Sequence, residues 1–100
     1  MLLQERVEEK KLLAALAMLK VIAHPVRLGI VDLLTEHTEM TNLEIQEALH
    51  IEQAIASQHI TVMEDKGVLT SRRVGRNKFV SLTFPHMKNI VLCLESCCKE

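Results

Sequence analysis

Apolar residues recur at helical spacing along most of the chain, and this pattern predicts three helices in its first half. They cover residues 2–23, residues 25–36 and a stretch that opens at Thr41. Pro25 separates the first two, because the residue before a proline avoids the α region while proline itself fits the first turn of a helix. Thr41 and Glu44 have the spacing of a capping box, so they mark the start of the third helix.

The second half of the chain predicts a helix, a hairpin and a last helix. The fourth helix opens near residue 53 and ends at Gly67, a residue suited to the C-cap. Two β-rich runs, "VLTSRR" and "KFVSLTF", flank the turn sequence "VGRN", and Pro85 then opens the fifth helix. The polar stretch "HTEM" at residues 37–40 is expected to be a loop.

The predicted order is ααααββα, a mainly α fold with a small β-hairpin. The short step between the third and fourth helices is that of a helix-turn-helix, and a hairpin after it makes a winged helix-turn-helix. One hundred residues suffice for a single domain, residues 1–100. Only two residues are aromatic, so the core must be aliphatic, and no apolar run approaches the roughly 20 residues that span a bilayer. No membrane partner is expected.

Positive charge is concentrated in one part of a slightly acidic chain. The net charge is −1, yet residues 53–82 carry five basic and two acidic side chains, whereas residues 1–52 carry five and nine. Such an asymmetry within one small domain indicates that one face meets a polyanion. Four of the basic residues crowd the predicted hairpin: Arg72, Arg73, Arg76 and Lys78.

The fourth helix presents a polar face suited to the major groove of double-stranded DNA. At 100° per residue, its polar and small side chains separate from Ala56, Ile60 and Met63, which are expected to be buried. Glutamine pairs with adenine, serine with any base, and an alanine methyl group contacts thymine. The predicted reading residues are Gln53, Ala54, Ser57, Gln58 and Thr61. A solvated amphipathic face is the alternative interpretation of the same pattern.

The basic hairpin is expected to contact the DNA backbone or the minor groove. Lysine and arginine on a projecting ribbon release counterions when they meet phosphates. Val74 and Phe79 are expected to hold the ribbon to the body. The predicted contact residues of the hairpin are Arg72, Arg73, Arg76, Asn77 and Lys78.

The first helix carries an apolar stripe that a small monomer would not cover alone. Its residues are Leu3, Val7, Ala14 and Met18, and the last helix has a similar stripe. Because exposed apolar patches of this kind mark interfaces, the sequence predicts a dimer.

Four segments together resemble the ArsR-type winged-helix repressors. They are "AHPVRL" at residues 23–28, "SQHI" at 57–60, "GVL" at 67–69 and the basic hairpin at 72–78. The resemblance extends over about residues 12–95. It implies a homodimer that is joined through the first and last helices, binds a palindromic operator and represses transcription. It also implies release by a metal ion, a metalloid or a change of thiol state, although some relatives respond to none of these.

The chain departs from the family pattern at three places. His50 stands where the family often has glycine, in the turn between the third and fourth helices, so we expect a left-handed backbone there. Glu52 replaces the serine or threonine expected to cap the fourth helix, and it is a poorer cap. The family's Cys-x-Cys metal motif falls on Thr41, Asn42 and Leu43, so that site is absent.

A second family metal site, formed on the last helix, is also incomplete. Its positions here are Phe84, His86, Cys97 and Glu100, and Phe84 cannot ligate the zinc ion that prefers four ligands. No metal or cofactor is therefore assigned, and zinc is expected to bind weakly.

Three cysteines fall within the last eight residues, an odd number that does not form a disulfide framework. Free thiols of this kind indicate a reducing cytoplasm. Cys97 and Cys98, with Cys93, are either soft ligands for a metalloid or copper(I), or structural residues. Cys93 in particular lies in the apolar stripe of the last helix, where cysteine behaves as a small hydrophobe. His24, His37 and His86 are expected to be caps or surface residues, and His59 a hydrogen-bonded structural one.

The sequence favours a DNA-binding regulator over two rivals. No cysteine has a histidine or acid at a catalytic spacing, and no glycine-rich loop offers a phosphate cradle, so an enzyme is not expected. The serious alternative is a winged helix that binds only proteins, since fold does not imply function. Replacing the basic residues of the hairpin with neutral ones distinguishes these two functions. A hairpin that binds proteins should keep its binding, whereas a hairpin that binds DNA should lose it.

Overall fold

The order of helices and strands follows the predicted winged helix-turn-helix, with two additions and with a 3₁₀ turn, and not an α-helix, at Pro85, where the last helix was predicted to begin. The computed structural model describes residues 1–99. Along the chain come α1 (Leu3–Arg6), α2 (Glu9–Ile22), α3 (Pro25–His37), β1 (Met40–Thr41), α4 (Asn42–Leu49), α5 (Gln53–Asp65), β2 (Leu69–Val74), β3 (Asn77–Leu82), a 3₁₀ turn (Pro85–Met87) and α6 (Lys88–Cys98).

The first addition is a break in the predicted first helix. Val7 is extended, with φ −122° and ψ 140°, so a one-turn α1 precedes α2. No residue of α1 is buried. A single turn without tertiary packing gains little stability from helix formation. Local helix propensity was therefore not enough to continue α2 back through Val7.

The second addition is the short strand β1, which occupies part of the stretch expected to be a loop. Met40 pairs with Val80 and Thr41 with Phe79, so β3 lies between β1 and β2 in an antiparallel sheet. Met40 is buried at this pairing. Thr41 then caps α4 as predicted: its hydroxyl accepts from the Glu44 amide at 3.2 Å, and the Glu44 carboxylate accepts from the Thr41 amide at 2.9 Å.

An aliphatic core joins the helices to the base of the sheet. Gly29 lets α3 approach α4 closely, because a Cβ at this position would lie 3.2 Å from Cδ2 of Leu49. The buried cluster consists of Val21, Ile22, Ile30, Val31, Leu34, Met40, Ile45, Ile60, Met63, Val68, Leu69, Val80 and Met87.

Helices α2 and α6 leave large apolar side chains exposed in the single protomer. The predicted stripe is only partly correct, because Leu3 and Ala14 are exposed while Met18 packs against the core. The exposed leucines of the two helices are Leu13, Leu16, Leu19, Leu92 and Leu94. No single described helix is long and apolar enough to cross a membrane, and α2 and α3 reach that length only together, across a bend of 103°.

Candidate nucleic-acid interface

The five predicted reading residues of α5 form one surface, which we call the reading face. Its members are Gln53, Ala54, Ser57, Gln58 and Thr61. All retain contact with solvent, and only Ser57 is half-buried. The other side of the helix is packed as predicted, since Ala56, Ile60 and Met63 are at most 1% exposed.

The turn between α4 and α5 aims the reading face outward. His50 has φ 55° and ψ 46°, which confirms the predicted left-handed conformation. Its amide donates to the Glu47 carbonyl at 3.3 Å, and the Ile51 amide donates to the Gln46 carbonyl at 3.2 Å, so the last carbonyls of α4 are satisfied. Glu52 precedes α5 and makes no side-chain cap, in line with its poor capping character.

The far end of α5 is closed by the predicted glycine. Gly67 has φ 81°, a conformation that side chains rarely adopt. Its amide donates to the Glu64 carbonyl at 3.0 Å, and the Val68 amide donates to the Met63 carbonyl at 2.9 Å. The C-terminal end of α5 is therefore closed by backbone hydrogen bonds.

His59 ties the middle of α5 to the start of α3, as expected of a structural histidine. Nε of Arg27 donates to Nδ1 of His59 at 3.1 Å, and the His59 and His24 ring centroids lie 4.7 Å apart. His24 caps α3, because its Nδ1 accepts from the Val26 amide at 3.1 Å. Burial lowers the pKa of His59 below its ordinary value, and the charges of His24 and Arg27 lower it further. The neutral form, with Nδ1 as acceptor, is the one this packing requires.

The hairpin of β2 and β3 turns through Gly75 and Arg76, and we call this hairpin the wing. Gly75 supplies the positive φ of 62° at the first turn position. The cross-strand pairs place alternate residues on two faces. The inner face, which continues from the core, carries Leu69, Ser71, Arg73, Lys78, Val80 and Leu82, and the outer face carries Thr70, Arg72, Val74, Asn77, Phe79 and Ser81.

Arg72 on the outer face makes an ion pair within the protein. Its Nε and Nη2 donate to the two carboxylate oxygens of Glu39 at 2.6 and 2.8 Å, and its guanidinium lies 5.1 Å from the centre of the Phe79 ring. The hydrogen bond from Arg72 holds the pKa of Glu39 below its ordinary value. Val74 was expected to anchor the wing with Phe79 but is 50% exposed, so that expectation was wrong for Val74.

Lys78 on the inner face is paired as well, whereas two arginines are not. Nζ of Lys78 lies 2.6 Å from Oε1 of Glu64, and both side chains are largely covered, at 28% and 24% exposure. Arg73 and Arg76 form no ion pair with an acidic side chain among residues 1–99. Their charges are the ones the wing leaves available to an external anion.

Most of the predicted DNA-contact residues line two grooves on the surface. One groove, of about 540 Å³, lies between α4, the start of α5 and the wing, and Gln53 lines it with Arg73, Arg76, Asn77 and Lys78. The other adjoins α3, where Arg27 lines a surface with Ser57, Gln58 and Thr61. Ala54 and Arg72 lie outside both grooves.

The grooves also contain residues that sequence reasoning did not select. Asn42 and Gln46 of α4 line the groove beside the wing, and Arg27 lines the other. No sequence signal singles out the two amides. Arg27 is recognisable only as part of the motif at residues 23–28.

The thiols of α6 are free and on the surface. Cys93, Cys97 and Cys98 are all exposed, so the interpretation of Cys93 as a buried hydrophobe was wrong for the protomer. Among residues 1–99 no group of three or more histidine, cysteine or acidic side chains is arranged to hold a metal ion. Glu100, a position of the incomplete second metal site, lies outside the described residues.

Comparisons with known proteins agree with this architecture. The sequence model of a helix-turn-helix domain family matches residues 22–72. The transcriptional repressor PagR of Bacillus anthracis is 35% identical over 77 residues, which is 77% of each chain. Its crystal structure superposes with a TM-score of 0.79 at 33% identity, covering 87% of this chain and 99% of that one.

Two further repressors show the same likeness. The repressor SmtB of Mycobacterium tuberculosis is 38% identical over 79 residues, 79% of this chain and 58% of SmtB, so the chain spans little more than half of that relative. The repressor BigR of Xylella fastidiosa superposes with a TM-score of 0.80 at 29% identity, covering 92% of this chain and 93% of that one. These relatives are transcriptional regulators and not enzymes. On these grounds the chain belongs to the ArsR-type winged-helix transcriptional repressors.

Proposed function

We propose that the protein is a homodimeric repressor that binds a palindromic operator in double-stranded DNA. The observation that carries the proposal is that Gln53 of the reading face lines one groove with Arg73 and Arg76 of the wing, two arginines that form no ion pair within residues 1–99. The proposed DNA contacts are the reading face of α5 and, in the wing, Arg73, Arg76 and Asn77. Arg72 and Lys78, which the sequence also predicted as contacts, are held in ion pairs by Glu39 and Glu64. The names of PagR, SmtB and BigR support the same function.

The reading face supplies sequence recognition in this proposal. The major groove presents a distinct donor and acceptor pattern for each base pair, and an α-helix fits into it. Gln53 and Gln58 carry amides that pair with adenine, and Ser57 carries a hydroxyl that pairs with either class of base. These side chains lie on the outward surface of a helix whose C-terminal end is closed by backbone hydrogen bonds.

The wing supplies affinity that does not depend on sequence. Arg73 and Arg76 reach phosphates and release the counterions condensed there, so each contact makes DNA binding more sensitive to salt. Neither arginine forms an ion pair with the described acids of residues 1–99, which supports this role over that of a solvated surface.

Dimerisation sets the spacing between two reading faces. Half-sites lie about 34–36 Å apart, one helical turn of DNA, so two helix-turn-helix units must be held at a fixed separation. The exposed leucines of α2 and α6 are the surface we assign to that contact. A DNA-binding regulator with three free thiols also fits the reducing cytoplasm, where we place it.

The test starts by selecting duplexes that the purified protein enriches from a random-sequence library. Fluorescence anisotropy over about 50–200 mM salt then compares the selected duplex with a random one. We expect Gln53→Ala or Ser57→Ala to weaken operator binding by roughly 1–3 kcal/mol and to relax base preference. Arg76→Ala should weaken both duplexes alike and lower the salt slope by about 1.8, which is about 0.9 for each wing of the dimer. The control Lys88→Ala, which removes an exposed cation from α6, should change neither.

Two results would contradict the proposal. No enrichment of any duplex, with binding indifferent to Arg76, would instead favour a winged helix that binds proteins. Equal losses on selected and random DNA in all the reading-face and wing variants would refute the division of labour between α5 and the wing.

A further inference from the structure

The outer half of the wing has few apolar contacts with the rest of the protein. On the inner face the pairs Leu69–Leu82 and Ser71–Val80 reach the core, but the next pair along is Arg73–Lys78. Strand β1 pairs with β3 only at Phe79 and Val80, so no strand among residues 1–99 lies beside Asn77 and Lys78. A two-stranded ribbon without a packed face is only marginally stable.

Two carboxylates hold this half of the wing from opposite sides. Glu39, just before β1, binds Arg72 on the outer face. Glu64 binds Lys78 on the inner face at 2.6 Å and also lies 3.4 Å from the Ser71 hydroxyl. The wing therefore meets the body through ion pairs at the point where apolar packing ends.

Glu64 belongs to the same side of α5 as part of the reading face. It follows Ser57 by seven residues and Thr61 by three, the spacings that share one side of a helix. Its carboxylate thus joins the reading helix directly to the wing. Because both partners are largely covered, their attraction is less screened by salt than that of an exposed pair.

We propose that Glu64 is a positioning residue that determines specificity by fixing the angle between the wing and the reading face. This inference rests on the proposed function. An operator must engage both surfaces at once, so a wing that swings freely loses operator affinity. Random DNA is bound mainly through phosphates, which a loosely held wing still reaches. Lys78 then acts within the protein, and Arg73 and Arg76 are the wing residues that meet phosphates.

The proposal predicts a lower operator affinity for Glu64→Ala, the opposite of what charge alone predicts. Removing an acid from a DNA-binding surface should raise affinity for every duplex. We expect Glu64→Ala instead to lower the ratio of operator to random-duplex affinity by about four- to 25-fold, because one ion pair supports about two- to fivefold and the dimer has two such pairs. The salt slope on random DNA should stay unchanged, because no phosphate contact is gained or lost.

The experiment uses the full chain, the selected duplex and a random duplex, with anisotropy over a salt series and a melting curve for each variant. Asp65→Ala is the matched control, since it removes one negative charge from the adjacent position, which has no ion pair among residues 1–99. Lys78→Arg should keep the ratio, Lys78→Met should lower it as Glu64→Ala does, and the double variant should be no worse than either.

Each outcome decides the proposal. Equal gains on both duplexes in Glu64→Ala, with a slope steeper by about 1.8 for the two wings of the dimer, would show that Lys78 is a phosphate contact that Glu64 merely restrains, and would overturn it. A ratio matching that of Asp65→Ala would overturn it as well, while the proposed function would stand. A wild-type protein without preference for any duplex would overturn the proposed function and this inference together.

Discussion

Replacing Leu19 by alanine should weaken the proposed dimer measurably. Leu19 lies on α2 and is 46% exposed in the protomer. It lines an apolar groove of about 580 Å³ with Ile90 and Leu94 of α6, so the exposed surfaces of the two helices are continuous. A partner protomer seated on this surface would remove the remaining part of the leucine side chain from water.

The size of the effect follows from that exposed fraction. Full burial of a leucine side chain contributes about 1.5–3 kcal/mol, so covering the exposed half contributes about 0.7–1.4 kcal/mol. A two-fold dimer buries Leu19 twice. The substitution should therefore destabilise the dimer by about 1.4–2.8 kcal/mol and raise its dissociation constant by about 10- to 100-fold.

Sedimentation equilibrium over a range of protein concentrations measures this change. Leu43→Ala is the matched control, because Leu43 is 58% exposed but lies on α4, away from α2 and α6. The reasoning is refuted by a wild-type protein that stays monomeric at micromolar concentration. It is also refuted if Leu19→Ala and Leu43→Ala have the same dissociation constant as the wild type.

Three further predictions concern stability and the thiols. His50→Gly should raise the free energy of unfolding by about 0–1 kcal/mol, because glycine adopts positive φ without strain; a clear loss in urea unfolding would count against this. The lowered pKa of His59 means that the unfolded chain protonates first, so stability should fall as the pH drops below about 6.5, and His59→Gln should reduce that fall. If arsenite, copper(I) or peroxide changes operator affinity, the change should act through Cys97 and Cys98, with Cys93, whereas zinc should leave the affinity nearly unchanged; a response that survives in the triple Cys→Ser variant would place the sensor elsewhere, and no response in either protein would make the thiols structural.

Local signals in the sequence were enough to place most helix boundaries. Thr41 and Glu44 form their capping box within four residues, and Gly67 ends α5 through the backbone of the preceding turn. Pro25 begins α3 for a reason confined to its own ring. Such features depend on neighbours along the chain, so they are visible before the fold is known.

Features that depend on distant residues were not predictable in the same way. Strand β1 has two residues, too few for an alternating pattern, and forms because β3 lies beside it. Arg72 and Lys78 were recognised as cations, but Glu39 and Glu64 lie 33 and 14 residues away from them. The sequence shows the sign of each charge and not the partner that the fold supplies.

The side of α2 that forms the proposed dimer surface could not be predicted, for a different reason. Most of α2 is apolar around its whole circumference in "LLAALAM", so periodicity does not say which side faces the core. Met18 turned inward and Leu13, Leu16 and Leu19 turned outward. The position of α2 against α3 decided this, and no pattern within α2 contains that information.

The internal ion pairs change how the charge of the wing should be counted. Four cations lie in the wing, but Glu39 and Glu64 hold two of them, which leaves Arg73 and Arg76. At about 0.9 per phosphate contact, the wings of a dimer then contribute a salt slope of about −3.6, half of what four cations in each wing would give. Weak attraction to random DNA makes operator binding depend more on the reading face. Operator binding then also depends more on the contact between two protomers through α2 and α6. The dimer contact and the ion pair that holds the wing therefore both raise the preference of the protein for its operator over other DNA.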